Sequence, residues 1–330
     1  DQEALERATR KVPGVVAGVL VDGRTGFAAA GTLAGMDDPG GQCWEIGSIT
    51  KVFTGVLLAD LSIAGEVALD DPIGRFVPDA VAARLPDAGA QPTLACLATH
   101  TAGLPRLPLA MIRAVGKSDD PYARLTLDDV WSHLGPKARR PSRPRPRYSN
   151  YGMGLLAHLL ERAAGTGYGD LIRDRILAPL GMTATGLGEC PDADDPVVGF
   201  RKGKPTPPWT FGALAGAGGL RSTASDLLRF AAAVADPPSS RVGEALILSG
   251  GVHFRGRMQR RGLGWDHRVV PPGRRRSGLW HNGGTYGAAS FLAVDPESDS
   301  AVVAFGNRGP VLASPIDRLG WTLFDGLANT

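Results

Sequence analysis

Strand-turn-strand patterns stand at both ends of this chain. Val15 to Val21 is an apolar, valine-rich run, followed by Asp22-Gly23-Arg24-Thr25-Gly26 and then Phe27 to Ala30, which predicts a β-hairpin. Near the other end, Ala289 to Val294, the turn-rich Asp295-Pro296-Glu297-Ser298-Asp299 and Ala301 to Phe305 repeat the pattern. Gln2 to Lys11 reads as a short helix ahead of the first hairpin, and about Ser314 to Leu327 as a terminal helix after the second. The expected fold is α/β (α+β): an antiparallel sheet built from both chain ends, flanked by helices, with a mainly helical lobe inserted between them. We expect one domain over 1–330, with 1–60 and 265–330 in the sheet lobe and 61–264 in the helical lobe. No internal repeat is visible.

Composition fits a compact globular protein and narrows its partners. With 330 residues, 43% of them hydrophobic, the chain can bury a large core, and a formal charge of +3 does not suggest a nucleic-acid binder. Cys43, Cys96 and Cys190 are too few and scattered for a disulfide framework and lack zinc-ligand spacing, so packed free thiols are expected. No run of about 18 apolar residues marks a transmembrane segment. A chain that begins at Asp1 without a signal-like stretch fits a processed or truncated protein and leaves the compartment open, with a lean toward a secreted or cell-envelope one.

Chemistry is concentrated in Ser48-Ile49-Thr50-Lys51. Residues three apart on a helix share a face, so the Lys51 amine can reach the Ser48 hydroxyl. Gly47 suits a turn before the helix, and Val52, Phe53, Val56, Leu57, Leu58 and Leu61 would bury its body. A lysine so buried is pushed toward its neutral form, in which it can act as a base. Alone, the pattern fits equally an N-cap serine with a surface lysine one turn on.

Two further segments follow in order: Arg147-Tyr148-Ser149-Asn150-Tyr151-Gly152 holds a Tyr-x-Asn, and Trp280-His281-Asn282-Gly283-Gly284-Thr285 a His-x-Gly. Ser-x-x-Lys, Tyr-x-Asn and His-x-Gly resemble, in the same order, the three active-site motifs of the class C β-lactamase and penicillin-binding-protein superfamily of serine hydrolases. Leu97-Ala98-Thr99-His100-Thr101-Ala102-Gly103-Leu104-Pro105 and Gly218-Gly219-Leu220-Arg221-Ser222-Thr223-Ala224-Ser225-Asp226-Leu227 resemble other segments of that family, so the likeness spans nearly the whole chain.

The resemblance implies a β-lactamase/transpeptidase-like fold and a set of roles. Ser48 would be the nucleophile, Lys51 its proton acceptor, and Tyr148 a phenol or phenolate shuttling a proton to the leaving group, with Lys51 as the cation a phenolate would need. Asn150 would donate to the substrate's carbonyl, the Ser48 and Gly284 amides would form the oxyanion hole, and His281 and Gly283 would line the substrate. No metal and no organic cofactor is implied. The expected reaction is acyl-enzyme hydrolysis of ester, amide or peptide carbonyls. β-Lactamase or D-alanyl-D-alanine carboxypeptidase action, acyltransfer or thioesterase action, and a penicillin-binding sensor that does not turn over are the alternatives.

One departure bears on substrate. The family's third motif usually begins with lysine, and here His281 would place a charge that titrates near neutrality at the anion-binding end of the cleft, closer to the esterase, amidase and D-aminopeptidase members. Basic runs at Lys137 to Arg147 and Arg274-Arg275-Arg276 abut the motifs; prolines 141, 144 and 146 exclude a helix from the first. They are read as solvated loops or, alternatively, as an electropositive rim for a small-molecule or peptide acyl donor carrying negative charge.

Overall fold

A computed structural model describes residues 2–115, 118–193, 196–268, 270, 276–309 and 314–327. The first hairpin joins β1 (Gly14–Val21) to β2 (Arg24–Gly31). Its turn is tighter than the sequence suggests. Asp22 and Gly23 make it alone with φ of 47° and 73°, and Arg24 already pairs with Val21. Two successive positive φ values suit the two-residue turn whose twist matches that of its strands.

The other strands of the main sheet are β3 (Phe254–Arg255), β4 (Arg260–Arg261), β5 (Asp266–Arg268), β6 (Gly278–Gly284), β7 (Ala289–Asp295) and β8 (Ser300–Gly306). Their order is β2-β1-β8-β7-β6-β5-β4-β3, antiparallel throughout. The chain ends therefore meet at the β1–β8 pair, where Val16 lies opposite Phe305 and Leu20 opposite Ala301.

Helices α1 (Gln2–Thr9) and α4 (Pro315–Gly326) pack on one face of the sheet and the helix Ala224–Ala235 on the other, while α2 (Thr50–Ile63) and α3 (Asn150–Ala164) lie in the core beyond that second face. Every residue of β7 and β8 is buried, because both faces of these strands are covered. Phe291, Ala293, Val302 and Ala304 pack with Leu5 of α1 and with Ile316, Leu319 and Phe324 of α4. Their strand neighbours Leu292, Val294, Val303 and Phe305 point the other way, into the core that holds α2 and α3. Helix α2 is buried from Thr50 through Leu61, as expected of a helix apolar around most of its circumference. Ser149 caps α3 by accepting the Gly152 N–H at 2.8 Å, which fixes where Tyr148 leaves the helix. Residues 139–149 form neither helix nor strand, and Arg143 to Arg145 are exposed.

The expectation of three free thiols is overturned. Cys43 and Cys190 form a disulfide across 147 residues, and only Cys96 is free among the three. Spacing could not show this, because tertiary pairing makes the contact: Trp44–Glu45 and Gly186–Leu187 both hydrogen-bond to Leu220–Ser222, one on each side. The Arg274 and Arg275 positions lie outside the described residues, while Arg276 is paired with Asp295 at 3.1 Å. We predict one titratable thiol in the unfolded, unreduced protein and three after reduction, with a loss of about 2–5 kcal/mol of stability in Cys43→Ser measured by denaturant unfolding. Three thiols without reductant would refute the bond.

Candidate active site

Ser48 sits in a single helical turn, Gly47–Ile49, that runs into α2. Gly47 has a φ of 49°, and its positive φ lets the chain bend sharply from Trp44–Glu45 into the helix. One turn on, Lys51 is fully buried, and its Nζ lies 2.8 Å from Ser48 Oγ. It also donates to the Ala217 carbonyl. From 100 residues away, the Tyr148 hydroxyl donates to the same Ser48 Oγ at 2.5 Å. The first two motifs thus converge on one oxygen.

Burial governs the protonation of these groups. No carboxylate pairs with Lys51 among the described residues, so desolvation, aided by the charge of Arg106, holds its pKa well below the usual lysine range. Burial pushes Tyr148 up to about 12, outweighing its hydrogen bond to Ser48 and the Arg106 charge. Tyr148 is therefore a phenol near neutrality, which corrects the phenolate alternative. His281 is corrected as well. It is buried, its Nδ1–H donates to the Asn282 carbonyl at 2.6 Å, and desolvation together with the Lys51 charge lowers its pKa to about 3. It carries no charge near neutrality, so it supplies no pH-dependent anion site.

The third motif lies on β6, which extends past its neighbour β5: pairing with β5 ends at Trp280. On the other side, Thr285 N donates to Ala288 O at 2.9 Å, so Gly284 and Ala289 form the next, non-hydrogen-bonded pair. The Gly284 N–H consequently turns away from β7 toward the Ser48 turn. Contact there is close enough that a Cβ on Gly47 would lie 2.6 Å from Gly284 N, and one on Gly283 would strike the Ile46 carbonyl and lie 2.9 Å from Ser48 N. Two backbone amides, Ser48 and Gly284, thus flank the nucleophile. Asn150 Nδ2 donates one of its two N–H groups to the Tyr122 hydroxyl at 3.1 Å, and its buried Oδ1 has no hydrogen-bond partner among the described residues.

Several contributors escaped the motif reading. His100, at φ 60°, packs against Tyr148 with the rings tilted by 45° and their centroids 4.8 Å apart; its Nδ1 accepts the Ser149 N–H at 3.3 Å and its carbonyl the Arg147 N–H at 2.8 Å. Pro105 O accepts Ser149 Oγ at 2.6 Å and Arg106 O accepts Tyr151 N at 3.1 Å, so residues 100–106 clamp the Tyr148 segment from both sides. Glu45 joins Trp209 N at 2.7 Å to Thr285 Oγ1 at 2.9 Å, linking the strand before Ser48 to the residue after Gly284. The family-like segment Leu97 to Pro105 marked His100 and Pro105 without giving them a role, and Glu45 was signalled only by its closeness to Ser48. Among the described residues, no group of three or more His, Cys, Asp or Glu side chains is placed to hold a metal ion.

Comparison with known proteins identifies the family. The family model described as Beta-lactamase matches residues 3–320. The chain belongs to the Beta-lactamase family. It is 28% identical to the D-alanyl-D-alanine-carboxypeptidase/endopeptidase AmpH of Escherichia coli over 283 residues, covering 81% of this chain and 71% of that protein. It is 25% identical to a β-lactamase of the same organism, covering 96% and 90%. The β-lactamase/D-alanine carboxypeptidase of Yersinia pestis superposes with a TM-score of 0.81 at 25% identity over 99% of this chain and 96% of that one, and a class C β-lactamase of Rhodobacter sphaeroides with 0.78 at 24% over 99% and 98%. The protein is a serine hydrolase with a class C β-lactamase-like fold. No helix among its described residues is long and apolar enough to cross a membrane.

Close approach of β6 to the Ser48 turn is testable. Gly283→Ala must push the strand off Ile46 and Ser48, and we expect kcat on a p-nitrophenyl ester to fall by about 10²-fold or more, the scale of losing an oxyanion donor, while circular dichroism shows a folded protein. A wild-type rate in that variant would show that the contact has no bearing on chemistry.

Proposed function

We propose that Ser48 is the acylated nucleophile, Lys51 the base that activates it, and Tyr148 the acid that protonates the leaving group. The meeting of Lys51 Nζ and the Tyr148 hydroxyl on Ser48 Oγ carries this reading. Neutral Lys51 takes the Ser48 proton as Oγ attacks the carbonyl carbon of an ester, amide or peptide. The oxyanion forms between the Ser48 and Gly284 N–H groups, which are aimed there before the reaction and need no reorganisation. As the tetrahedral intermediate collapses, Tyr148 gives its proton to the departing oxygen or nitrogen, and the proton held by Lys51 restores the phenol. Water then attacks the acyl-enzyme, the same two groups carry its proton, and Ser48 Oγ leaves as a hydroxyl. Asn150 donates an amide N–H to the substrate's carbonyl, and His281, Gly283 and Gly284 wall the site.

A second reading comes from the relatives named D-alanyl-D-alanine carboxypeptidase and β-lactamase: cleavage of D-alanyl peptides or β-lactams. Neutral His281 counts against a carboxylate grip at the third motif. We also propose that 1–330 works as one domain with its cleft between a sheet lobe, 1–60 plus 265–330, and a helical lobe, 61–264, except that the strands β3 and β4 at 254–261 belong with the sheet lobe.

Treating the protein with a fluorophosphonate and mapping the adduct by mass spectrometry should find it on Ser48, and Ser48→Ala should lose turnover of p-nitrophenyl esters, D-amino-acid amides, D-Ala-D-Ala peptides and a chromogenic cephalosporin alike by several orders of magnitude. Labelling of another serine would sink the assignment. Sustained turnover by the wild type, beyond one equivalent of acylation, separates a hydrolase from a sensor.

A pH profile tests the base and the acid. For an uncharged ester, kcat/KM should rise with pH as Lys51 deprotonates, at a pH well below the ordinary lysine range, and then stay flat, because Tyr148 keeps its proton until about pH 12 and His281 titrates near pH 3. A descending limb between about pH 7 and pH 10 would contradict the assignment of a phenol raised by burial.

A further inference from the structure

The Ser48 and Gly284 amides belong to separate segments of the chain, and one side chain ties those segments together. Glu45 stands shortly before Ser48, in the pair Trp44–Glu45 that hydrogen-bonds to Leu220–Ser222. Its Oε2 accepts the hydroxyl of Thr285, the residue after Gly284, at 2.9 Å, and its Oε1 accepts the Trp209 N–H at 2.7 Å. Thr285 has no freedom in that bond. Its buried Oγ1 also receives the N–H groups of Gly287 at 3.3 Å and Ala288 at 3.1 Å, so both lone pairs are taken and its one hydrogen must go to Glu45. Each Glu45 oxygen therefore faces a donor, and only a carboxylate satisfies both. Burial pushes the Glu45 pKa up, while the hydrogen bonds from Trp209 and Thr285 and the Arg221 charge oppose that push.

We propose that Glu45, as a carboxylate, is the positioning residue that sets the distance between the Ser48 and Gly284 N–H groups, and so the fit of the oxyanion hole to the charge that develops there. The two segments cannot move closer: a Cβ on Gly47 would lie 2.6 Å from Gly284 N, so the Ser48 turn and β6 already touch. They can part, and the Glu45–Thr285 bond resists that motion because it crosses the same gap one residue beyond Gly284. Thr285 is a firm end for the bond, since its backbone N–H is held by Ala288 O at 2.9 Å. Hydrogen bonds weaken steeply once distance and angle leave their best range, so a small parting of the segments weakens both amides at once. An isosteric amide cannot replace the carboxylate. In Glu45→Gln the NH2 group must face either the Trp209 N–H, itself a donor, or a Thr285 oxygen whose lone pairs are already used. The inference rests on the acyl-enzyme reading, in which those amides receive the oxyanion, and adds the residue that holds them at working distance.

Two esters that release the same phenol test the fit: p-nitrophenyl acetate and its thiono counterpart, in which C=S replaces C=O. Sulfur is a larger and weaker acceptor, so a hole built for oxygen favours the oxygen ester beyond the preference shown by hydroxide in water. The measured quantity is the ratio of kcat/KM for the oxygen ester over the thiono ester. We expect it to exceed the hydroxide ratio in the wild type, to fall by about tenfold in Glu45→Gln and in Thr285→Val, and to recover most of its value in Thr285→Ser, which keeps the hydroxyl. Combining Glu45→Gln with Thr285→Val should lower it no further than the worse single variant, since both remove one link. A loss of folded protein lowers both rates together and leaves the ratio where it was, and Thr285→Val tests the link from its other end if Glu45→Gln folds poorly. A ratio unmoved in either folded variant, or losses that add in the double variant, overturns the role of Glu45 and leaves the acyl-enzyme reading standing. A wild-type ratio no greater than that of hydroxide removes the oxyanion hole of that reading, and this role with it.

Discussion

A lysine buried without a counter-charge is the constraint on which the rest of this site depends. Lys51 has no solvent exposure, and among the described residues its amine hydrogen-bonds to the Ser48 hydroxyl and the Ala217 carbonyl and lies 4.9 Å from the centre of the Tyr148 ring. An ammonium in that position would lose its hydration with no carboxylate to replace it, so the interior itself favours the free amine. Surrounding groups follow the same rule: burial lowers the pKa of His100 and His281 and raises that of Tyr148. Burial thus pushes each of these groups toward its neutral form. Preorganised dipoles act most strongly in such a medium, because little water is present to screen them.

Holding these groups in register requires a rigid nucleophile segment, and the fold ties residues 43–50 down at almost every step. Cys43 is bonded to Cys190, Trp44 pairs with Ser222, and Glu45 is fastened to Trp209 and Thr285. The Ile46 carbonyl accepts Ser290 Oγ at 2.8 Å, and Thr50 Oγ1 accepts the Leu220 N–H at 3.1 Å. The segment is therefore anchored to the main sheet on one side and to the helical core on the other. Tyr148 is set independently, by the 100–106 loop and by the Ser149 cap of α3. The two halves of the proton relay come from separate parts of the chain, so the packing of α2 against α3 decides whether they meet.

Local pattern revealed what is local. The two hairpins and the terminal helices were legible because their apolar runs and turn residues lie within a few positions of each other, and the Ser48–Lys51 contact because a helix imposes it. Strand ends slipped where turn chemistry was subtle: Arg24 to Gly26 read as turn yet pair with β1, because Asp22 and Gly23 reverse the chain unaided. Contacts made by tertiary pairing left no trace. The Cys43–Cys190 bond needs the shared strand at Leu220–Ser222, and the electrostatic state of His281 depends on burial beside Lys51, whereas an isolated histidine titrates near neutrality. Arg106 was invisible for the opposite reason, since an exposed arginine in an arginine-rich chain looks like every other.

Burial at the centre also bears on where a fixed cation can stand. A fixed cation at position 281 would stand close enough to Lys51 to repel its protonated form, the same repulsion that keeps His281 uncharged. Placing the cation instead on an exposed loop residue weakens that coupling by solvent screening. Arg106 lies on an exposed loop against the outer ring of the relay, and even from there its charge lowers the pKa of both Lys51 and Tyr148. Burial remains the larger influence on both groups, so the interior sets their protonation and exposed charge adjusts it.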